Sequence, residues 1–69
     1  MIAVTPGDVV VIGAFDDVPE HDFRVDEVLD DCVTGVALTG PLAGEYGEPE
    51  LVMIVRVLGP QGSQESQQA

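Results

Sequence analysis

Apolar residues recur in short runs separated by glycine, proline and acidic residues, a pattern typical of strands joined by turns. The runs at 9–12, 32–39 and 51–58 are rich in Val, Ile and Thr, whose branched side chains suit a pleated sheet. The acidic stretch 16–22 and the glycine- and proline-containing stretch 40–50 separate these runs as loops. We therefore predict a sheet of four to five short strands.

The sequence of segment 18–31 is compatible with either a helix or a strand. Val25 and Val28 belong to a set of apolar residues at helical spacing, and Asp17 could cap a short helix at 18–31. A strand reading instead places Phe23 and Val25 on one face, and it needs a bulge near Glu27 to return Val28 or the next residue to the core. We favour the strand and keep the helix as the alternative.

The run 51–58 predicts a closing strand that is apolar on both faces except at Arg56. A strand of this kind has to be covered on both sides, inside a small barrel or at a subunit interface. We therefore expect the neighbours Ile54 and Val55 both to be buried.

The order of these elements resembles that of SH3-like barrels across residues 6–58. An opening Pro-Gly-Asp-Val-Val strand is followed by an irregular loop, a hairpin, a glycine-rich turn and a closing strand. The resemblance is one of pattern and includes no family motif. The predicted fold class is all-β, either a small SH3-like barrel or a strongly bent antiparallel sheet. Residues 1–59 are expected to form one domain, and the polar segment 60–69 a disordered tail.

Charge narrows the choice of partners. Thirteen acidic residues and two basic ones give a formal net charge of -11 in 69 residues. Such a surface repels nucleic acid phosphates and anionic membranes, so we expect no direct binding to nucleic acid and no membrane insertion. A partner with a basic surface is favoured instead. The N-terminus lacks the features of a signal peptide and no apolar run has the length of a membrane span, which predicts a cytoplasmic protein.

The residue types needed for catalysis or metal binding are sparse. Cys32 is the single cysteine, and it follows Asp30-Asp31, whose charge disfavours a reactive thiolate. His21 is the single histidine, and its neighbours do not match the spacing of a calcium loop. We therefore predict no enzymatic activity, no cofactor and no metal site.

The acidic loops and the single tyrosine are the candidate contacts for a partner, because tyrosine is enriched at the energetic centres of interfaces. The predicted partner-binding residues are Asp16, Asp17, Glu20, Asp22, Glu45, Tyr46 and Glu48.

Two functions compete at this point. The first is a small non-enzymatic binding or adaptor module that docks on a larger cationic protein or self-associates, with a homodimer as one form. The second is an inhibitor that imitates nucleic acid and occupies the basic groove of a DNA- or RNA-binding protein. A contact with apolar content should survive added salt, whereas mimicry of nucleic acid should be lost with salt and compete with DNA.

Overall fold

The computed structural model of the chain describes residues 3–60, which form one antiparallel sheet of five strands. Across the sheet the strands lie in the order β4-β3-β2-β1-β5, so the last strand returns beside the first. The all-β prediction is confirmed. The elements in chain order are β1 (Asp8–Ile12), β2 (His21–Val28), β3 (Val33–Ala37), β4 (Tyr46–Gly47), a 3-10 turn (Leu51–Met53) and β5 (Ile54–Pro60).

The segment 18–31 contains strand β2, so the alternative of a helix there is wrong. The predicted bulge near Glu27 is present, because the pairing of β2 with β3 shifts register between Val25 and Glu27. The bulge does not bring the following residues into the core. Val28 and Leu29 are exposed at the end of the β2–β3 hairpin, where Val28 pairs only with the first residue of β3.

The core occupies one face of the sheet, which we call the inner face. Strand β1 lies between β2 and β5, and all of its residues are buried. Its alternate residues Val10 and Ile12 point to the inner face. The buried members of the core are Val10, Ile12, Phe23, Val25, Val33, Ala37 and Ile54.

The opposite, outer face of the sheet holds both arginines of the chain. Val9 lies directly opposite Arg24, and Val11 lies directly opposite Arg56. Both valines are buried although they lie outside the core cluster. Arginine stems can cover apolar surface while their charged ends stay in water, which suits this arrangement.

Strand β5 is an edge strand with two bulges, and its apolar residues are not covered on both sides as expected. Its pairing with β1 skips Val55 and Leu58, so each is an extra residue opposite β1. The bulges break the simple alternation, and Ile54 and Val57 therefore both contact the core. Ile54 is 5% exposed as expected, whereas Val55 is 52% exposed, so the prediction for Val55 is wrong in the single chain.

The described part of the chain ends at residue 60, where the predicted tail begins. Strand β5 extends to Pro60, which pairs with Asp8 at the start of β1. The predicted tail from residue 61 onward lies outside the described residues. Between residues 3 and 60 there is no helix long and apolar enough to cross a membrane.

Candidate functional site

An apolar cavity of about 320 Å³ opens on the inner side of the sheet, between its edge strand β4 and the 3-10 turn. Strands β1, β2 and β3 contribute Ile12, Phe23 and Ala37. The surrounding loops and the 3-10 turn contribute further apolar side chains, and acidic residues border the opening. These further lining residues are Phe15, His21, Leu42, Glu45, Tyr46, Gly47, Glu48, Pro49 and Met53.

A tight turn at the tip of the β1–β2 loop (13–20) positions Phe15 over the cavity. The backbone N–H of Phe15 donates to the carbonyl of Val18 at 2.9 Å, and the N–H of Val18 donates back to Phe15 at 2.7 Å. Asp16 and Asp17 form the turn between them, and Asp16 has a left-handed φ of 49°. Aspartate is one of the few non-glycine residues that adopt this conformation readily.

His21 forms part of the cavity wall and is held in place by two neighbours. It pairs with Ile12 across the β1–β2 ladder, and its ring lies 6.3 Å from that of Phe15, centroid to centroid. Its Nδ1 donates to the carbonyl of Pro19 at 2.9 Å. Because the Nδ1 proton of His21 is used in this bond to the backbone, it is not available to a ligand in the cavity.

Gly47 leaves part of the cavity wall without a side chain. It pairs with Gly35 of β3. A Cβ atom at position 47 would lie 3.6 Å from Cε2 of Phe23, so the position faces the core aromatic ring. Because strand residues alternate between faces, the Tyr46 side chain starts on the outer side of this edge, so Tyr46 and Glu48 lie at the edge of the cavity and not over its floor.

Tyr46 and Glu48 are joined by a hydrogen bond. The Tyr46 hydroxyl donates to Oε2 of Glu48 at 2.9 Å, although the Tyr46 side chain is 63% exposed. The bond to Glu48 raises the pKa of Tyr46, and desolvation and the Glu48 charge act in the same direction. The tyrosine is therefore held as a neutral hydrogen-bond donor to the Glu48 side chain.

The predicted partner-binding residues lie in three places: at the edge of the cavity, in the β1–β2 loop and, for Asp22 alone, on the outer face of the sheet. Glu45, Tyr46 and Glu48 border the cavity as a group. Asp16, Asp17 and Glu20 are exposed in the adjacent β1–β2 loop, which also carries Phe15 into the cavity wall.

Asp22 does not join the other acidic residues. It lies between His21 and Phe23 on β2 and is paired with Val11, so it belongs to the outer face. Its backbone N–H donates to the Thr39 hydroxyl at 3.0 Å.

Sequence reasoning missed the apolar part of the site. Phe15 and Leu42 lie in loops, where no alternation identifies a buried face, and Met53 lies in the run 51–58, whose two faces are both apolar. The signal that could have found Phe15 and Leu42 is that each is a large apolar residue in a polar or glycine-rich stretch.

Within residues 3–60 no cation forms a salt bridge with the acidic residues around the cavity. In the described part of the chain the only salt bridge joins Arg24 and Asp26 at 3.3 Å, and both side chains are well exposed. Arg24 lies on the outer face, opposite Val9. The acidic residues at the cavity therefore act on any approaching cation without internal neutralisation.

Residues 3–60 contain no cluster of three metal-ligating side chains that could hold a metal ion. The Cys32 thiol is partly buried, and desolvation together with the charge of Asp31 raises its pKa. A raised pKa keeps the thiol protonated and therefore poorly nucleophilic.

Comparison with protein-family models, with curated proteins and with solved structures finds no match for this chain.

Proposed function

We propose that this protein is a small non-enzymatic binding module that docks on a basic surface of a larger protein. One observation carries the proposal, namely an apolar cavity that is bordered by carboxylates without a cation among the described residues to pair with them. Pockets that combine an apolar floor with a few polar groups at the rim are the usual form of a binding site.

The two components of the surface have different physical roles. The acidic rim accelerates encounter with a cationic partner and orients it, an effect that weakens as salt screens the charges. The apolar cavity stabilises the complex once it has formed, because burial of apolar surface is little affected by salt. The combination favours a protein partner over a purely electrostatic ligand.

The proposal includes the finer fold class of an SH3-like barrel. The strand order supports it, because four strands follow one another as a meander and β5 returns to pair with β1. We also propose a cytoplasmic setting, which suits a chain with a single cysteine and hence no internal disulfide.

The test is affinity capture from the native host at several salt concentrations with two charge-matched variants. The first variant, Glu45→Gln with Glu48→Gln, removes two carboxylates at the cavity. The control, Asp30→Asn with Asp31→Asn, removes two carboxylates from the β2–β3 turn, which does not line the cavity. We expect the first variant to lose most of the captured protein and the control to retain it.

Two results would contradict the proposal. Equal loss from both variants would show that only total charge matters. If DNA also displaced the captured protein, and moderate salt released it completely, the chain would instead be an inhibitor that imitates nucleic acid.

A further inference from the structure

The size and lining of the cavity indicate which kind of side chain on a basic partner it would bind. Resting on the function proposed above, we propose that it seats one large apolar side chain of the partner, such as leucine. This side chain would be presented by a segment in which lysine or arginine residues flank it.

The size and the polarity of the cavity indicate an apolar occupant. Its volume of about 320 Å³ lies at the lower end of the range of about 300 to 1,000 Å³ that is typical of ligand sites. Ile12, Phe23 and Met53 present apolar surface to it. No buried side-chain nitrogen or oxygen in the described part of the chain lacks a hydrogen-bond partner. No enclosed polar side chain there requires a polar partner, so an apolar occupant leaves no buried side-chain group unsatisfied.

Gly47 is the residue that leaves room for the occupant. Its φ lies outside the left-handed region, so the backbone does not require glycine there. A Cβ would make ordinary van der Waals contact with Phe23. A larger side chain at this position would therefore occupy space that the partner's side chain fills in the wild-type protein.

The charge around the opening specifies the residues that flank the apolar anchor. Glu45 and Glu48 border the cavity, and the exposed Asp16-Asp17 turn lies next to Phe15. Both arginines of the chain lie on the outer face of the sheet, so the positive charge has to come from the partner. Lysine or arginine on either side of the anchor meets this requirement.

Three synthetic peptides test the proposal by NMR titration of the full chain near physiological salt. They are Lys-Lys-Leu-Lys-Lys, Lys-Lys-Ala-Lys-Lys and Glu-Glu-Leu-Glu-Glu. Burial of a leucine side chain predicts that the first binds about 10- to 100-fold more tightly than the second. The third should not bind measurably. Contacts between the leucine methyl groups and the rings of Phe15 or Phe23 should appear in nuclear Overhauser spectra.

A cavity-filling variant and a control complete the experiment. Gly47→Leu should remove the preference for the leucine peptide over the alanine peptide. Ala43→Leu adds the same side chain to an exposed position of the β3–β4 loop and should leave the preference unchanged. Melting curves establish that both variants are folded. If Gly47→Leu does not fold, the Overhauser contacts in the wild-type protein decide the question.

The outcomes separate this inference from the function on which it rests. If the leucine and alanine peptides bind equally, or if the leucine methyls contact neither phenylalanine, the cavity does not seat the anchor, although the acidic module stands. If Gly47→Leu folds and keeps the preference, the inference is also overturned. If neither lysine peptide binds at all, the proposed docking on basic surfaces fails as well.

Discussion

The hydrogen bond between Tyr46 and Glu48 shifts the pKa of the tyrosine and so makes its contribution to stability depend on pH. The hydroxyl donates to the Glu48 carboxylate, and this bond raises the pKa of Tyr46 above its ordinary value of 10.0. Because the pKa is higher in the folded protein than in the unfolded chain, the bond contributes stability below pH 10. That contribution is lost as the pH rises through the folded pKa.

We predict that Glu48→Gln lowers the pKa of Tyr46. The amide carries no charge, so it no longer opposes ionisation of the hydroxyl. The absorbance of tyrosinate measures this directly, since the chain has one tyrosine and no tryptophan. Glu45→Gln serves as the control, because Glu45 is not among the groups that shift Tyr46. If the two variants titrated alike, the hydrogen bond to Glu48 would not be the cause.

Among the strands, β2 and β3 approach so closely at Gly35 that a side chain cannot fit. A Cβ there would lie 1.8 Å from the carbonyl oxygen of Arg24, which is backbone and cannot move aside. The register shift next to it, between Val25 and Glu27, belongs to the same distortion of the β2–β3 pair. Gly35 is therefore required by packing rather than by its φ angle.

We predict that Gly35→Ala destabilises the protein by about 3 kcal/mol or more, or prevents folding, because the two strands must separate. Gly47→Ala is the matched control, since Gly47 pairs with Gly35 and its Cβ would make only ordinary contacts. Urea unfolding followed by circular dichroism measures both. Equal stability of the two variants would contradict the close approach at Gly35.

Strand β5 provides a second test, in which two neighbouring residues should behave differently. Ile54→Asp places an unpaired charge in the core and should unfold the protein. Val55→Asp changes a half-exposed bulge residue and should leave the fold intact. Thermal melting and size-exclusion chromatography measure the outcome. If Val55→Asp broke up an oligomer, Val55 would be covered by a second copy of the chain, as the homodimer hypothesis requires.

The same elements show what could be predicted from the sequence. Strands β1 and β3 were predictable because β-branched runs and turn residues are local signals, whereas for β2 the sequence favoured a strand but left a helix as the alternative. Strand β4 was not, because its two residues are held by pairing with β3 rather than by their own propensity. The exposure of Val55 was missed because a bulge depends on register with another strand.

For the candidate site, too, local features could be predicted from the sequence, whereas features that depend on the tertiary arrangement could not. The acidic part could be predicted, because charged residues stand out in composition wherever they fall in the fold. The cavity between Phe15, Leu42 and Met53 could not, since only the tertiary arrangement brings these three segments together. Asp22 was assigned to the site from its place in an acidic stretch, and the alternation of β2 places it on the other face.

For the molecule as a whole, the dominant electrostatic term is repulsion. A net charge of -11 on 7.3 kDa opposes compaction. The salt bridge between Arg24 and Asp26, the only one within residues 3–60, is exposed and offsets little of it. Salt should therefore stabilise the fold by screening charges that the chain does not pair internally.

We predict that the free energy of unfolding rises between about 10 and 150 mM sodium chloride, as the Debye length falls from roughly 30 to 8 Å. Urea unfolding at fixed neutral pH measures it. The double variant Asp30→Asn with Asp31→Asn lowers the net negative charge by two, so its stability should depend less on salt while its fold is unchanged. A fall in stability with salt would mean that attractive charge pairs dominate in the folded chain. In that case Arg24 and Arg56 would be their centres, because the chain has no other arginine and no lysine.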